Sequence, residues 1–112
     1  MKTIDDEDAA EWLRAFVPEP ASFDWDDGNR NKNLKHGISD DEIESILRVQ
    51  AYFFAGKIIE PINFEWRGLI LGQTESVQMA ALIFTRRGEK LRPICCRSMR
   101  NNERRKYEEE TS

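Results

Sequence analysis

The apolar positions of this chain change period once, and the change predicts its architecture. Ala9, Trp12, Leu13 and Phe16 recur at helical spacing behind a run of acids, predicting a short helix over 5–16 that Pro18 and Pro20 stop. Ser22 to Trp25 predicts a short edge strand. Asp26 or Asp27 is then expected to cap a helix running through Lys35, with Gly37 as its C-cap after His36. Leu34 is the one strongly apolar residue there, so this helix is expected to pack weakly and show a polar stripe of Asn29, Lys32, Asn33 and His36. Ser39 followed by Glu42 forms the S-x-x-E capping box of a helix over 39–49, with Ile43, Ile46 and Leu47 as its buried seam.

From Ala51 the pattern is that of strands. Tyr52-Phe53-Phe54 is a short apolar run, and 56–63, which holds Gly56 and Pro61, reads as turn-rich. Phe64–Gly72, Ser76–Thr85 and Lys90–Arg97 predict three strands, with hairpin turns at Thr74-Glu75 and Arg87-Gly88. Pro93 inside the last of them predicts an edge position or a bulge. Ser98 or Asn101 is expected to cap a final helix through Glu110. The expected fold is α+β: N-terminal helices, an antiparallel sheet of three to four strands, then a C-terminal helix.

At 112 residues the chain fits one domain. Residues 1–22 read as an acidic N-terminal extension and 23–112 as the main domain. No apolar run reaches the length of a transmembrane helix, and MKTIDDEDAAEW lacks the apolar centre of a secretory signal. The expected location is the cytoplasm, with no membrane partner. Cys95 and Cys96 are neighbours in a strand and point to opposite faces, so they are not expected to bridge. With a single histidine, a zinc site is not expected either. Phosphate-cradling glycine motifs and H-E-x-x-H are missing from the sequence, so no cofactor and no metal are expected.

Charge sharpens this picture. The net charge is −4, yet Thr85 to Tyr107 carries nine basic side chains against two acidic ones, whereas residues 1–29 carry nine acids against two bases. Arginines concentrated on one segment of an acidic protein suggest a polyanionic ligand. Lys90 and Arg92 alternate onto one strand face, Arg86 and Arg87 lie beside the turn, and Arg97 and Arg100 follow; forked guanidinium groups suit phosphate oxygens. The competing reading is a solvated face with Arg–Glu pairs to Glu89 or Glu103. Arg67 lies mid-strand between Trp66 and Gly68 and must meet solvent or a partner. His36 is either a cation at a helix end or a general acid or base. Glu103 and Tyr107, four apart, share a face of the last helix. RNA can be cut without a metal, because its own 2′-OH serves as nucleophile and the protein supplies charge stabilisation and proton transfer.

The order FDWDDGNRNKNLKHGIS, then a strand ending LILGQT, then ALIFTRRGEKLRPICCRSMRNNERRKYEE resembles the BrnT-type toxins of bacterial type II toxin–antitoxin systems, over Phe23 to Glu109. The resemblance implies a RelE-like fold and a metal-independent endoribonuclease. It also implies a cognate ribbon–helix–helix antitoxin, contact with operator DNA only through that antitoxin, and allows a homodimer. Carried over by position, it implicates His36, Arg67, Arg86, Arg97 and Glu103 in catalysis. Arg67, Arg86 and Arg97 would hold the scissile phosphate, and His36 or Glu103 would transfer protons. Lys32, Arg87, Lys90, Arg92, Arg100 and Tyr107 complete the expected RNA-binding set. Gln73 and Cys95-Cys96 depart from the family pattern, as does RVQAYFFAGK. The alternative is a non-catalytic nucleic-acid-binding or partner-binding module on the same scaffold.

Overall fold

Four long strands, each nine residues, carry the fold. The computed structural model describes residues 3–4, 22–60 and 65–111; the helix expected over 5–16 lies outside them. In chain order come β1 (Thr3–Ile4), a 3₁₀ helix (Lys32–His36), α1 (Asp40–Val49), β2 (Tyr52–Glu60), β3 (Glu65–Gln73), β4 (Met79–Arg87), β5 (Lys90–Ser98) and α2 (Asn101–Thr111). The strands form one antiparallel sheet in the order β1-β2-β3-β4-β5, with the two-residue β1 at one edge and β5 at the other. Helices precede and follow the long strands, so the α+β expectation holds.

Each face of the sheet buries its own cluster. Ile70, Ala80, Leu82, Phe84, Leu91 and Cys96 pack with Ile38, Ile43, Ile46 and Leu47 beneath α1. Leu69, Leu71 and Ala81 pack with Ala55, Met99 and Tyr107 beneath α2. Strand alternation explains the split, since residues of one parity share a face. The Ser39 hydroxyl accepts the Glu42 N–H at 3.2 Å to open α1 as the capping box predicts. Gly72 lets that helix come close: a Cβ there would lie 2.6 Å from the Tyr52 Cβ and 3.0 Å from the Ile46 Cγ2.

Three local expectations are corrected. The segment read as a helix through Lys35 is a turn over 27–31 followed by the 3₁₀ helix, because Asn31 takes φ 59°, a left-handed conformation that interrupts a right-handed helix. Gly37, at φ 77°, is the C-cap as expected. Of the stretch read as turn-rich, 56–63, residues 56–60 instead continue β2 to Glu60 and 61–63 lie outside the described residues: the register shifts between Phe54 and Gly56, and the glycine serves a bulge. Neither Ser98 nor Asn101 caps α2. Arg100 precedes its first residue, and the Glu103 Oε1 accepts the Arg100 N–H at 2.8 Å.

The expectation for Pro93 holds twice. β5 is an edge strand, and the register opposite it shifts between Ile83 and Phe84, the latter paired with Pro93. Its outer edge is closed by the chain from Ser22 to His36. Phe23 forms a parallel bridge to Leu91, with the Leu91 N–H donating to the Ser22 carbonyl and the Asp24 N–H to that of Leu91. Asn29 donates to the Pro93 carbonyl at 3.0 Å, and Asn33 accepts the Cys96 N–H at 2.9 Å. Side-chain amides therefore satisfy an edge that would otherwise invite another strand.

Candidate nucleic-acid interface

Register decides which basic residues can act together. On β4, Ala81 and Ile83 belong to the α2 face, so Thr85 and Arg87 follow them, while Arg86 follows Phe84 onto the opposite face. On β3, Arg67 shares the parity of Leu69 and Leu71 and lies on the α2 face. On β5, Arg97 pairs with Ala81, Arg92 with Thr85 and Lys90 with Arg87, which puts all three on that face too. The α2 face thus gathers Arg67, Arg87, Lys90, Arg92 and Arg97. Arg86 does not join them, and its Nε donates to the Gly88 carbonyl at 2.7 Å.

The two ends of this face differ. Thr85 pairs with Arg92, Arg67 follows the last β3–β4 pair, Gly68–Phe84, and Arg97 lies two rows nearer α2 than Arg92, roughly 13 Å along the strand direction. Between them lie Leu69, Ile83 and Cys95, an apolar floor. The face is a track of cations and not a single three-arginine cup.

At the α2 end, Arg97 and Glu103 form a two-pronged ion pair. Nη1 donates to Oε1 at 2.7 Å and Nη2 to Oε2 at 3.0 Å, and Nη1 also donates to the Ser98 carbonyl at 3.2 Å. The Arg97 side chain is 20% exposed and that of Glu103 is 11%. Burial pushes the Glu103 carboxyl up, but the Arg97 hydrogen bonds, the Arg100 amide and the two arginine charges outweigh it and leave the carboxyl below its usual range. Glu103 is therefore a carboxylate at neutral pH. The same hydrogen bonds raise Arg97 against the opposing effect of burial.

The edge loop carries His36. That loop runs parallel to β5, pairing Phe23 with Leu91, Asn29 with Pro93 and Asn33 with Cys96. The next residue after His36, Gly37, accepts a hydrogen bond from the Gln78 amide at 3.2 Å, and the adjacent Met79 carbonyl accepts the Met99 N–H. His36 is exposed and lies in the edge loop between Asn33, bonded to Cys96, and Gly37, bonded to Gln78. Lys32, also exposed, opens the same 3₁₀ helix. The expected polar stripe is divided: Asn29 and Asn33 are buried against β5, and Lys32 and His36 face solvent.

The other expected contacts are distributed unevenly. Arg100 is exposed at the start of α2. Tyr107 is buried, stacks on Phe53 with ring centroids 6.0 Å apart, and donates its hydroxyl to the Ala51 carbonyl at 2.7 Å. It packs α2 on the sheet. Arg92 is held by Asp24 and Asp26 at 2.9–3.0 Å. Sequence reasoning offered Asp26 as a helix cap and gave Asp24 no partner, whereas the structure turns both carboxylates to Arg92. The Cys96 thiol, buried under α1, is pushed up to about 12 and is inert. No helix among the described residues is long and apolar enough to cross a membrane.

Residues 25–103 match the family model described as the ribonuclease toxin, BrnT, of type II toxin–antitoxin systems, which is more than half of the chain. The chain belongs to the BrnT family. It is accordingly a member of a ribonuclease toxin family whose systems pair a toxin with an antitoxin and whose target is RNA. A comparison with curated proteins finds no match. The matched residues run from the edge loop to Glu103, so they take in the Arg97–Glu103 pair, His36 and every cation of the α2 face.

Proposed function

We propose that this BrnT-family chain is an endoribonuclease toxin that cuts RNA across its α2 face by attack of the 2′-OH on the adjacent phosphate. The observation that carries the reading is Arg97, locked by the two-pronged pair with Glu103 on the cation-bearing α2 face. Arg97 stabilises the charge that builds on the phosphate oxygens as the 2′-oxygen–phosphorus bond forms. His36 transfers the proton between the 2′-OH and the departing 5′-oxygen. The products are a 2′,3′-cyclic phosphate and a 5′-hydroxyl. Arg67, Arg87 and Lys90 hold flanking phosphates along the track.

Of the two proton-transfer candidates, Glu103 is the weaker, since Arg97 and the Arg100 amide occupy both of its oxygens. The partner is an antitoxin of the ribbon–helix–helix type, which carries the pair to operator DNA; a surface that covers this basic face is expected to be acidic.

Total RNA incubated in EDTA with the wild type, Arg97→Ala and His36→Ala, with product ends mapped, tests the reading. Cleavage by the wild type leaving 2′,3′-cyclic phosphate ends, and its loss in both variants at matched circular dichroism, is the expected result. Intact RNA with the wild type, also in a translating extract, would leave a binding module in its place.

A further inference from the structure

We propose that Glu103 is a positioning residue for RNA cleavage: it aims the free side edge of Arg97 at the scissile phosphate and takes no proton from the substrate. The inference rests on the ribonuclease reading and assigns a role within that same site.

A guanidinium has five N–H donors. In Arg97, both Nη1 hydrogens are engaged, by Glu103 and Ser98, and one Nη2 hydrogen is engaged by Glu103. The donors left are Nε–H and the second Nη2–H, and these lie on one side of the fork. They form a side-on pair with the spacing of two phosphate oxygens. Glu103 grips the end of the fork, so the side edge is fixed in direction before any ligand arrives. Burial orders the pair the same way: the carboxylate is the less exposed member, 11% against 20% for the arginine side chain. A proton acceptor has to come within hydrogen-bond reach of the 2′-OH. Here both carboxylate oxygens already accept N–H groups, from Arg97 and the Arg100 amide.

The pair also separates binding from turnover. Glu103 cancels the Arg97 charge, so the pair adds little to the attraction of RNA, which depends on net cations facing phosphate. What it contributes is direction, and a reacting group misplaced by about an ångström can cost on the order of 100-fold in rate. Glu103→Gln keeps the shape and an acceptor for the Arg100 N–H, but it removes the charge and one of the two acceptors for Arg97. RNA should then bind as tightly or more tightly, while turnover falls.

The test is single-turnover and steady-state cleavage of a short RNA in EDTA by the wild type and Glu103→Gln across pH. Arginine side-chain NMR of both proteins is recorded with and without a 2′-O-methyl RNA of the same sequence, which cannot be cut. The expected result is a kcat about 10- to 100-fold lower in the variant, an unchanged or lower KM, and an acidic limb of the pH profile with the same midpoint. The Arg97 Nε–H signal should shift on RNA binding in the wild type, and its guanidinium should rotate faster in the variant. Loss of the acidic limb in Glu103→Gln would make Glu103 the base and overturn the proposal, and so would unchanged kcat with unchanged Arg97 rotation. If the wild type cuts nothing, the ribonuclease reading fails; the NMR arm then still decides whether Glu103 aims Arg97 at phosphate.

Discussion

Arg92 and Asp26 meet through two parallel hydrogen bonds of 2.9 Å, and a third of 3.0 Å ties the same guanidinium to Asp24. A side chain that the charge count assigns to RNA thus closes the sheet edge. Arg92→Gln is expected to lower the melting temperature by a few degrees and to weaken RNA binding less than Arg87→Ala does. The effect should depend on pH. Arg92, and after it the Gly28 amide, hold the Asp26 carboxyl below its ordinary range. A depressed acid stabilises the fold above its unfolded pKa and loses that contribution as pH falls through the folded one. The melting difference between wild type and Arg92→Gln should therefore be constant near neutrality and close below about pH 4. Melts recorded from pH 7 to pH 3 check it.

Asn33 offers a sharper test of how the edge is held. Its buried amide oxygen is the partner of the Cys96 N–H. Asn33→Ala leaves that N–H unsatisfied and should cost about 1–3 kcal/mol. Urea unfolding would read this as a lower midpoint at unchanged slope.

The same residue shows where the sequence stops being legible. α1 could be read from Ser39, Glu42 and the Ile43–Ile46–Leu47 seam because every signal lies within three or four residues. The Pro93 irregularity was visible because proline cannot donate to a ladder. Asn29 and Asn33 find their partners 64 and 63 residues away, and no local pattern distinguishes an amide stripe facing solvent from one facing a strand edge. Gly56 was ambiguous for a related reason, since a lone glycine serves a turn or a bulge equally well. In the site, the Arg97–Glu103 pair was within reach because six residues separate the two. The separation of Arg86 from Arg87 depends on parity, which only the pairing register fixes.

Val77 predicts a gain in stability. It takes φ 65° at the β3–β4 turn and is 69% exposed. A β-branched residue in that left-handed conformation is strained, by about 1 kcal/mol relative to glycine. Val77→Gly should raise the melting temperature by about 4 °C. The turn's hydrogen bonds from the Val77 N–H and Gln78 N–H to Thr74 do not involve the side chain being removed. Differential scanning calorimetry would show it, and an unchanged or lower midpoint would mean that the valine makes a compensating contact.

Neighbouring arginines on opposite faces give the last prediction. Arg87 shares the α2 face with Arg67 and Lys90, while Arg86 pairs with Leu91 over the α1 core. If RNA follows the α2 face, Arg87→Ala and Arg67→Ala should each weaken binding and reduce the salt slope of log K by about 1, the signature of one lost phosphate contact. Arg86→Ala should leave the slope as it was. Fluorescence anisotropy with a 2′-O-methyl RNA between 50 and 300 mM salt, roughly the range where that slope is linear, separates binding from cleavage. A slope that falls with Arg86→Ala and not with Arg87→Ala would put the RNA on the other face. That result would detach Arg97 and Glu103 from the substrate altogether, because register holds them to the side of Arg87.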